Sequence, residues 1–218
     1  MTSLRFLFAT TVLFGGTGGL AGQDSGMAVL EAASERYAAL GGLCADFVQV
    51  LDNPILGDAK TTRGRLCQET PNLFRMDFSD PEGDEVVADG EWFWVYYRSL
   101  DESQVLRFPL DDSRGGMDFF REFLSEPASK YSVAAEGVEQ MAGTTTHRLA
   151  LTPLSPRGLV SARIWVDPST DLIRRIEVTE DNGLTRTVTL SNLALDPSMG
   201  AAHFTFTVPP GVDVVSNE

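Results

Sequence analysis

The sequence predicts a mainly β fold: an antiparallel sheet curled into a barrel or part-barrel, with two helices set against it. Three observations lead there. Apolar-rich segments of strand length recur from Leu43 to Val208, about ten or eleven of them. Turn signals such as Asp89-Gly90, Asp167-Pro168 and Asp181-Asn182-Gly183 separate neighbours so closely that successive strands must pair as hairpins. Only two stretches, one near the N-terminus and one mid-chain, carry helical periodicity. The length of 218 residues fits one domain, and no linker or repeat divides it.

The chain opens with an export signal. Arg5 gives a short positive region, and Phe6–Phe14 is apolar but too short to span a bilayer. Gly19-Leu20-Ala21 offers small residues for cleavage after Ala21 or Gly22, so residues 1–22 are expected to leave and 23–218 to form the domain. Gln23 stands where a bacterial lipoprotein carries its lipidated Cys, so the mature protein is expected to be soluble and unlipidated.

A helix is expected over Ser25–Leu40, where Leu30, Ala33, Tyr37 and Leu40 share one face and Gly41-Gly42 stops the element. The strands follow at Leu43–Leu51, Thr61–Gln68, Leu73–Ser79, Glu85–Ala88, Glu91–Arg98 and Ser103–Phe108. In Leu73–Ser79, Phe74, Met76 and Phe78 alternate with Arg75 and Asp77, the mark of a half-buried strand. The segment Gly115–Leu124 breaks the series. Met117, Phe120 and Leu124 fall on one helical face, which suits either a core-packing helix or a lid over a cavity. Later strands are expected at Tyr131–Ala135, Thr146–Thr152, Ser161–Val166, Leu172–Thr179, Leu184–Leu193 and Phe204–Val208.

Composition narrows the function. A net charge of −14 argues against nucleic acid and against an anionic membrane surface. Cys44 and Cys67 are an even pair in an exported chain and read as one disulfide, with two buried thiols as the alternative. The two histidines, His147 and His203, have no spacing partner for a metal or a triad, and neither a phosphate loop nor a G-x-S-x-G elbow occurs. The chain is therefore expected not to be an enzyme and to need no cofactor. What it has in excess is apolar surface. The strand E-W-F-W-V-Y-Y-R at Glu91–Arg98 is aromatic or aliphatic on both faces, so both must be covered. Thirteen Phe and six Met fit either a dense core or a cavity for an adaptable apolar ligand.

Four segments occur in a familiar order: LCADFVQV at Leu43–Val50, TPNLFRMDF at Thr70–Phe78, VVADGEWFWVY at Val86–Tyr96 and HFTFTVPPGVDV at His203–Val214. They resemble the A-x-F-x-Q strand, the R-P-N-x-F strand, the V-x-D-G hairpin and the closing F-x-F-x-P-P-x-G-V of the LolA family. The resemblance implies an unclosed antiparallel β-barrel with helices as a lid. It also implies a periplasmic carrier that takes acylated lipoproteins from an inner-membrane ABC transporter to an outer-membrane acceptor, acting as a monomer. By matching position, Phe47, Phe74, Met76, Trp94 and Tyr96 fall on strands that line or support the acyl cavity, and Phe204 and Phe206 close the fold. Phe78 shares the face of Phe74. Leu151, Ile164 and Ile176 complete the expected lining, and Met117, Phe120 and Leu124 the lid. Thr70 departs from the family's Arg, which is associated with cargo handover; Arg63, Arg65 and Arg75 are the candidates to replace it. A lipid-sensing or lipid-binding protein on the same barrel is the alternative reading. Intact mass of the exported protein should show loss of residues 1–21 or 1–22 and no added lipid; a chain that keeps Met1 or carries lipid mass excludes this processing.

Overall fold

The computed structural model describes residues 18–54, 57–110, 119–155 and 158–216, so the apolar stretch Phe6–Phe14 lies outside the described residues. Helix α1 (Gly18–Ala38) begins upstream of the expected Ser25, and its backbone is helical through Gly18, Gly19 and Gly22. Glycine weakens a helix interior by about 1 kcal/mol without forbidding it. The expected cleavage point therefore lies within a helical backbone. Leu30, Ala33, Tyr37 and Leu40 are buried, as their periodicity requires.

Twelve strands among the described residues form one sheet. They are β1 (Gly42–Asp52), β2 (Ala59–Glu69), β3 (Leu73–Asp80), β4 (Glu82–Asp89), β5 (Trp92–Tyr96) and β6 (Gln104–Pro109), then β7 (Tyr131–Met141), β8 (Thr144–Pro153), β9 (Leu159–Asp167), β10 (Leu172–Glu180), β11 (Thr185–Leu195) and β12 (Asp213–Ser216). Their order is β12-β6-β5-β4-β3-β2-β1-β11-β10-β9-β8-β7, and every pairing is antiparallel except β12 with β6. The sheet is unclosed: β12 and β7 form its two edges and do not pair with each other.

Local sequence explains several joints. At the β4–β5 turn, Asp89 Oδ1 accepts the backbone N–H of Glu91 (3.0 Å) and of Trp92 (2.8 Å), while Gly90 adopts φ 99°. The left-handed region suits glycine, and the carboxylate closes an Asx turn. Cys44 and Cys67 face each other across β1 and β2 and are joined as a disulfide.

One strand assignment needs correction. Phe204–Val208 is not a strand: a 3-10 turn covers Ala201–Phe204 and the chain then runs extended without joining the sheet. Its alternating Phe204, Phe206 and Val208 lie on the outer, convex face instead. Phe204 covers the disulfide beside Met199, and Phe206 stacks on Trp94 at 5.2 Å between ring centroids. Pro209 and Pro210 lack the N–H that a ladder needs. The last strand is Asp213–Ser216, beyond the expected set; it lies parallel to β6 and is tied by Asp213 N–H to Ser103 O at 2.8 Å.

Tight backbone approach fixes one further position. Gly64, on β2, sits where the β2–β3 register shifts, and a Cβ there would lie 1.9 Å from Asp77 O and 2.8 Å from the Phe47 ring. Gly64→Ala should lower unfolding free energy by about 2–3 kcal/mol through this overpacking. Urea denaturation measures it, as a lower midpoint at an unchanged m-value; a variant as stable as the parent would mean that the strands part freely here.

Candidate functional site

The concave face of the sheet is the candidate site. Alternation on β3 sends Phe74, Met76 and Phe78 inward, and cross-strand pairing carries that parity around the sheet. Phe74 and Met76 lie opposite Ala88 and Val86 of β4, which lie opposite Phe93 and Val95 of β5. In the other direction Gly64 links Phe78 to Phe47, and Phe47 faces Leu190 of β11. Val188, Ile176, Ile164 and Leu149 continue across β11, β10, β9 and β8. The result is one continuous apolar surface.

The chain's own helices lie over this surface. Helix α1 packs on β7 and reaches β8, β9 and β10. It comes close because Gly26 has no side chain: a Cβ there would be 2.8 Å from Ala135 N. Two short helices follow, α2 (Phe119–Leu124) and α3 (Pro127–Lys130). Phe120 stacks on Tyr37 of α1 at 5.0 Å, and Phe123 packs beside Tyr131 at 5.6 Å.

A small set of polar ties holds the helices. Ser34 Oγ donates to Leu124 O at 2.5 Å. Lys130 Nζ donates to the carbonyls of Glu122 (3.0 Å) and Arg121 (3.4 Å), and the Tyr131 hydroxyl donates to the Glu122 carboxylate. Burial, then the Glu122 carboxylate, push the Tyr131 phenol well above its ordinary value. Tyr37 is raised by burial too, and its oxygen accepts the Ile173 N–H at 3.1 Å.

Of the residues expected to line the site, Phe47, Phe74, Met76, Phe78, Phe120, Leu124, Leu151, Ile164 and Ile176 all fall in this cluster, and none is more than 6% exposed. These side chains are therefore covered by the rest of the chain. Phe120 meets Tyr37 of α1 rather than a ring of β3. Met117 lies outside the described residues.

Trp94 and Tyr96 need correction. They point to the convex face, in a separate cluster with Val87 and Val105 that Phe206, Val208 and Val212 cover. The inward pair of β5 is Phe93 and Val95. The signal was present in the hairpin: with Met76 inward, the two-residue parity through Val86 sets Val95 inward. Nothing in the sequence pointed to Lys130, Tyr131 and Glu122 as ties, because they are polar groups brought together by the α2–α3 turn.

Ion pairs lie elsewhere on the convex face. Arg75 bridges Asp77 (2.8 Å) and Glu85 (2.6 Å) and donates to His203 O at 3.3 Å, holding the C-terminal segment down. Arg65 pairs with Asp46 at 2.8 Å and Arg63 with Asp80 at 3.5 Å. None of the three stands at Thr70, whose hydroxyl instead donates to Leu40 O (3.4 Å) and Gly41 O (3.5 Å) at the end of α1. Among the described residues no three His, Cys, Asp or Glu side chains converge as a metal site, and no helix is long and apolar enough to cross a membrane.

Removing two of the ties tests how the cover is held. In the double variant Ser34→Ala, Tyr131→Phe, amide exchange in Phe119–Leu124 should rise about tenfold or more, at roughly 1 kcal/mol per hydrogen bond, while β1–β3 keep their protection. Equal acceleration in β1–β3 would show that helices and sheet open as one unit.

Comparisons with known proteins fit this geometry. Residues 39–207 match the family model described as outer membrane lipoprotein carrier protein LolA. An outer-membrane lipoprotein carrier protein of Pasteurella multocida is 29% identical over 194 residues, covering 87% of this chain and 89% of that protein. One from Methylobacillus flagellatus is 25% identical over 191 residues, covering 85% and 88%. A crystal structure of an uncharacterized conserved protein from Thermus thermophilus shares the fold with a TM-score of 0.58 at 14% identity, covering 88% of this chain and 99% of that one.

Proposed function

Because the chain belongs to the LolA family, we propose that it is an exported periplasmic carrier that holds the acyl chains of lipoproteins on its concave face. In this reading it receives them from an inner-membrane ABC transporter and delivers them to an outer-membrane acceptor. The observation that carries the proposal is a contiguous apolar surface covered by helices rather than by a second sheet. A second sheet would close the core permanently. Helices held by ring contacts and a handful of hydrogen bonds can move aside together.

The energetics call for such a cover. An acyl chain in water costs about 0.8 kcal/mol per CH₂, so two or three long chains cannot cross an aqueous gap unshielded. An open concave face without ligand would be equally unfavourable, at about 25 cal/mol per Å² of apolar surface. The helices bury that surface in the empty carrier, and the acyl chains replace them in the loaded one. In this reading no covalent chemistry is needed. Thr70 stands where the family has Arg, and its hydroxyl donates to Leu40 O and Gly41 O just beyond α1.

Two measurements test the proposal together. Mass spectrometry of protein purified from its own periplasm should find bound lipoprotein or phospholipid; a polar metabolite in their place would overturn it. Phe74→Glu should impair uptake of a fluorescent acylated peptide from detergent while leaving a cooperative melting transition, since a face that opens can hydrate the carboxylate. A closed core cannot, and there the unpaired charge would unfold the protein outright.

A further inference from the structure

Gln49 closes the A-x-F-x-Q strand, yet an acyl-binding surface has no use for a buried amide. Residues paired directly across neighbouring strands share a face, so the concave surface can be read row by row. One row runs Gly64–Phe47–Leu190, with Phe78 opposite Gly64. The next runs Thr62–Gln49–Val188–Ile176. The third runs Lys60–Leu51–Arg186–Val178. Along the strands the surface thus passes from aromatic, through amide and hydroxyl, to cationic.

The polar groups are joined. Gln49 is 2% and Thr62 4% exposed, and Gln49 Nε2 donates to Thr62 Oγ1 at 3.1 Å. Arg186 Nη1 donates to Gln49 Oε1 at 2.9 Å. Arg186 also hydrogen-bonds the Tyr97 hydroxyl. The Tyr97 ring in turn ends an aromatic series, 6.0 Å from Phe78, which is 5.1 Å from Phe47. Arg186 and Tyr97 are partly exposed and Lys60 is exposed, so this end of the concave face meets solvent.

The charges there are unbalanced. Among the described residues neither Lys60 nor Arg186 has a carboxylate within ion-pair distance, in a chain of net charge −14, whereas Arg65, Arg163 and Arg175 on the convex face are all paired. Asp84 is an acidic influence on Tyr97, and its carboxylate is engaged by the Ser99 N–H (2.8 Å) and hydroxyl (2.7 Å). A guanidinium held by neutral acceptors keeps donors for an anionic oxygen, and charge-assisted hydrogen bonds are roughly twice as strong as neutral ones.

We propose that Arg186, held in place by Gln49 and Tyr97, and Lys60, in the same row on β2, form a head-group subsite that takes the anionic oxygen, carboxylate or phosphate, of an acylated ligand. The proposal rests on the reading that the concave face accepts acyl chains. A chain lying along Phe47, Phe78 and Tyr97 would bring its head to these two cations. The amide and hydroxyl row between them orients the guanidinium and marks where the apolar tail must end.

Fluorescence titration with dansyl-undecanoic acid and with its methyl ester separates the two ideas. The wild-type protein should bind the acid about tenfold more tightly than the ester, the scale of one charge-assisted hydrogen bond. Arg186→Gln and Lys60→Gln should each shrink that ratio, and Arg186→Lys should keep part of it. Equal binding of acid and ester by the wild type, or a ratio unchanged in all three variants, overturns the subsite and leaves the acyl reading standing. Failure to bind either probe overturns the acyl reading and the subsite with it. Displacement of the acid by inorganic phosphate alone, at the concentrations at which the fatty acid competes, would point to a free-anion site and overturn a head-group role. Melting curves accompany each variant, and Arg186→Lys and Lys60→Gln carry the test if Arg186→Gln does not fold.

Discussion

The architecture depends on one long-range pairing, that of β1 with β11. Every other antiparallel neighbour in the sheet is also a neighbour in sequence. Strands β1 to β6 form one meander and β7 to β11 another, and Phe47 opposite Leu190 and Gln49 opposite Val188 join them with their inward residues in phase. A slip of one residue would turn the apolar face of one meander toward solvent. The correct phase instead creates a single concave surface wide enough for α1 to cross, and with it everything that the helices, the rings and the polar rim require.

The two faces are covered by different means, and the difference suits their roles. On the convex side the C-terminal segment is anchored by Arg75, by the stacking of Phe206 on Trp94, and by β12 hydrogen-bonded to β6. On the concave side the cover is three helices with no strand pairing to the sheet. Backbone ladders are cooperative, whereas packed helices tied by isolated hydrogen bonds can open locally. The face proposed to hold ligand is therefore the one covered by separable parts.

Much of this was legible in the sequence. Hairpin signals and period-two alternation located most strands, and Leu30, Ala33, Tyr37 and Leu40 identified the buried side of α1 correctly. The errors have physical causes. Phe204, Phe206 and Val208 alternate because every second side chain meets the convex face, and period-two patterning marks an extended segment whether or not it joins a ladder. Trp94 and Tyr96 fall by matching position on a strand that lines or supports the cavity, and because both faces of β5 are apolar the sequence lacks the contrast that parity needs to tell the inward face. The ladder from Met76 through Val86 to Val95 restores it, but only once a neighbour's orientation is known. The short strand at Asp213–Ser216 has no hairpin partner in sequence, and its parallel pairing with β6 leaves no local trace.

The C-terminal segment also imposes an order of events. Cys44 and Cys67 are each 4% exposed beneath Phe204 and Met199. A chain that enters an oxidising compartment N-terminus first would present both thiols, on adjacent strands, before the residues that will cover them have crossed. Oxidation is unhindered in that interval and obstructed afterwards, and the same cover then keeps external thiols from the finished bond. In an exported chain the disulfide's position would thus let it form early in N-terminus-first translocation, and the folded protein makes it hard to reverse.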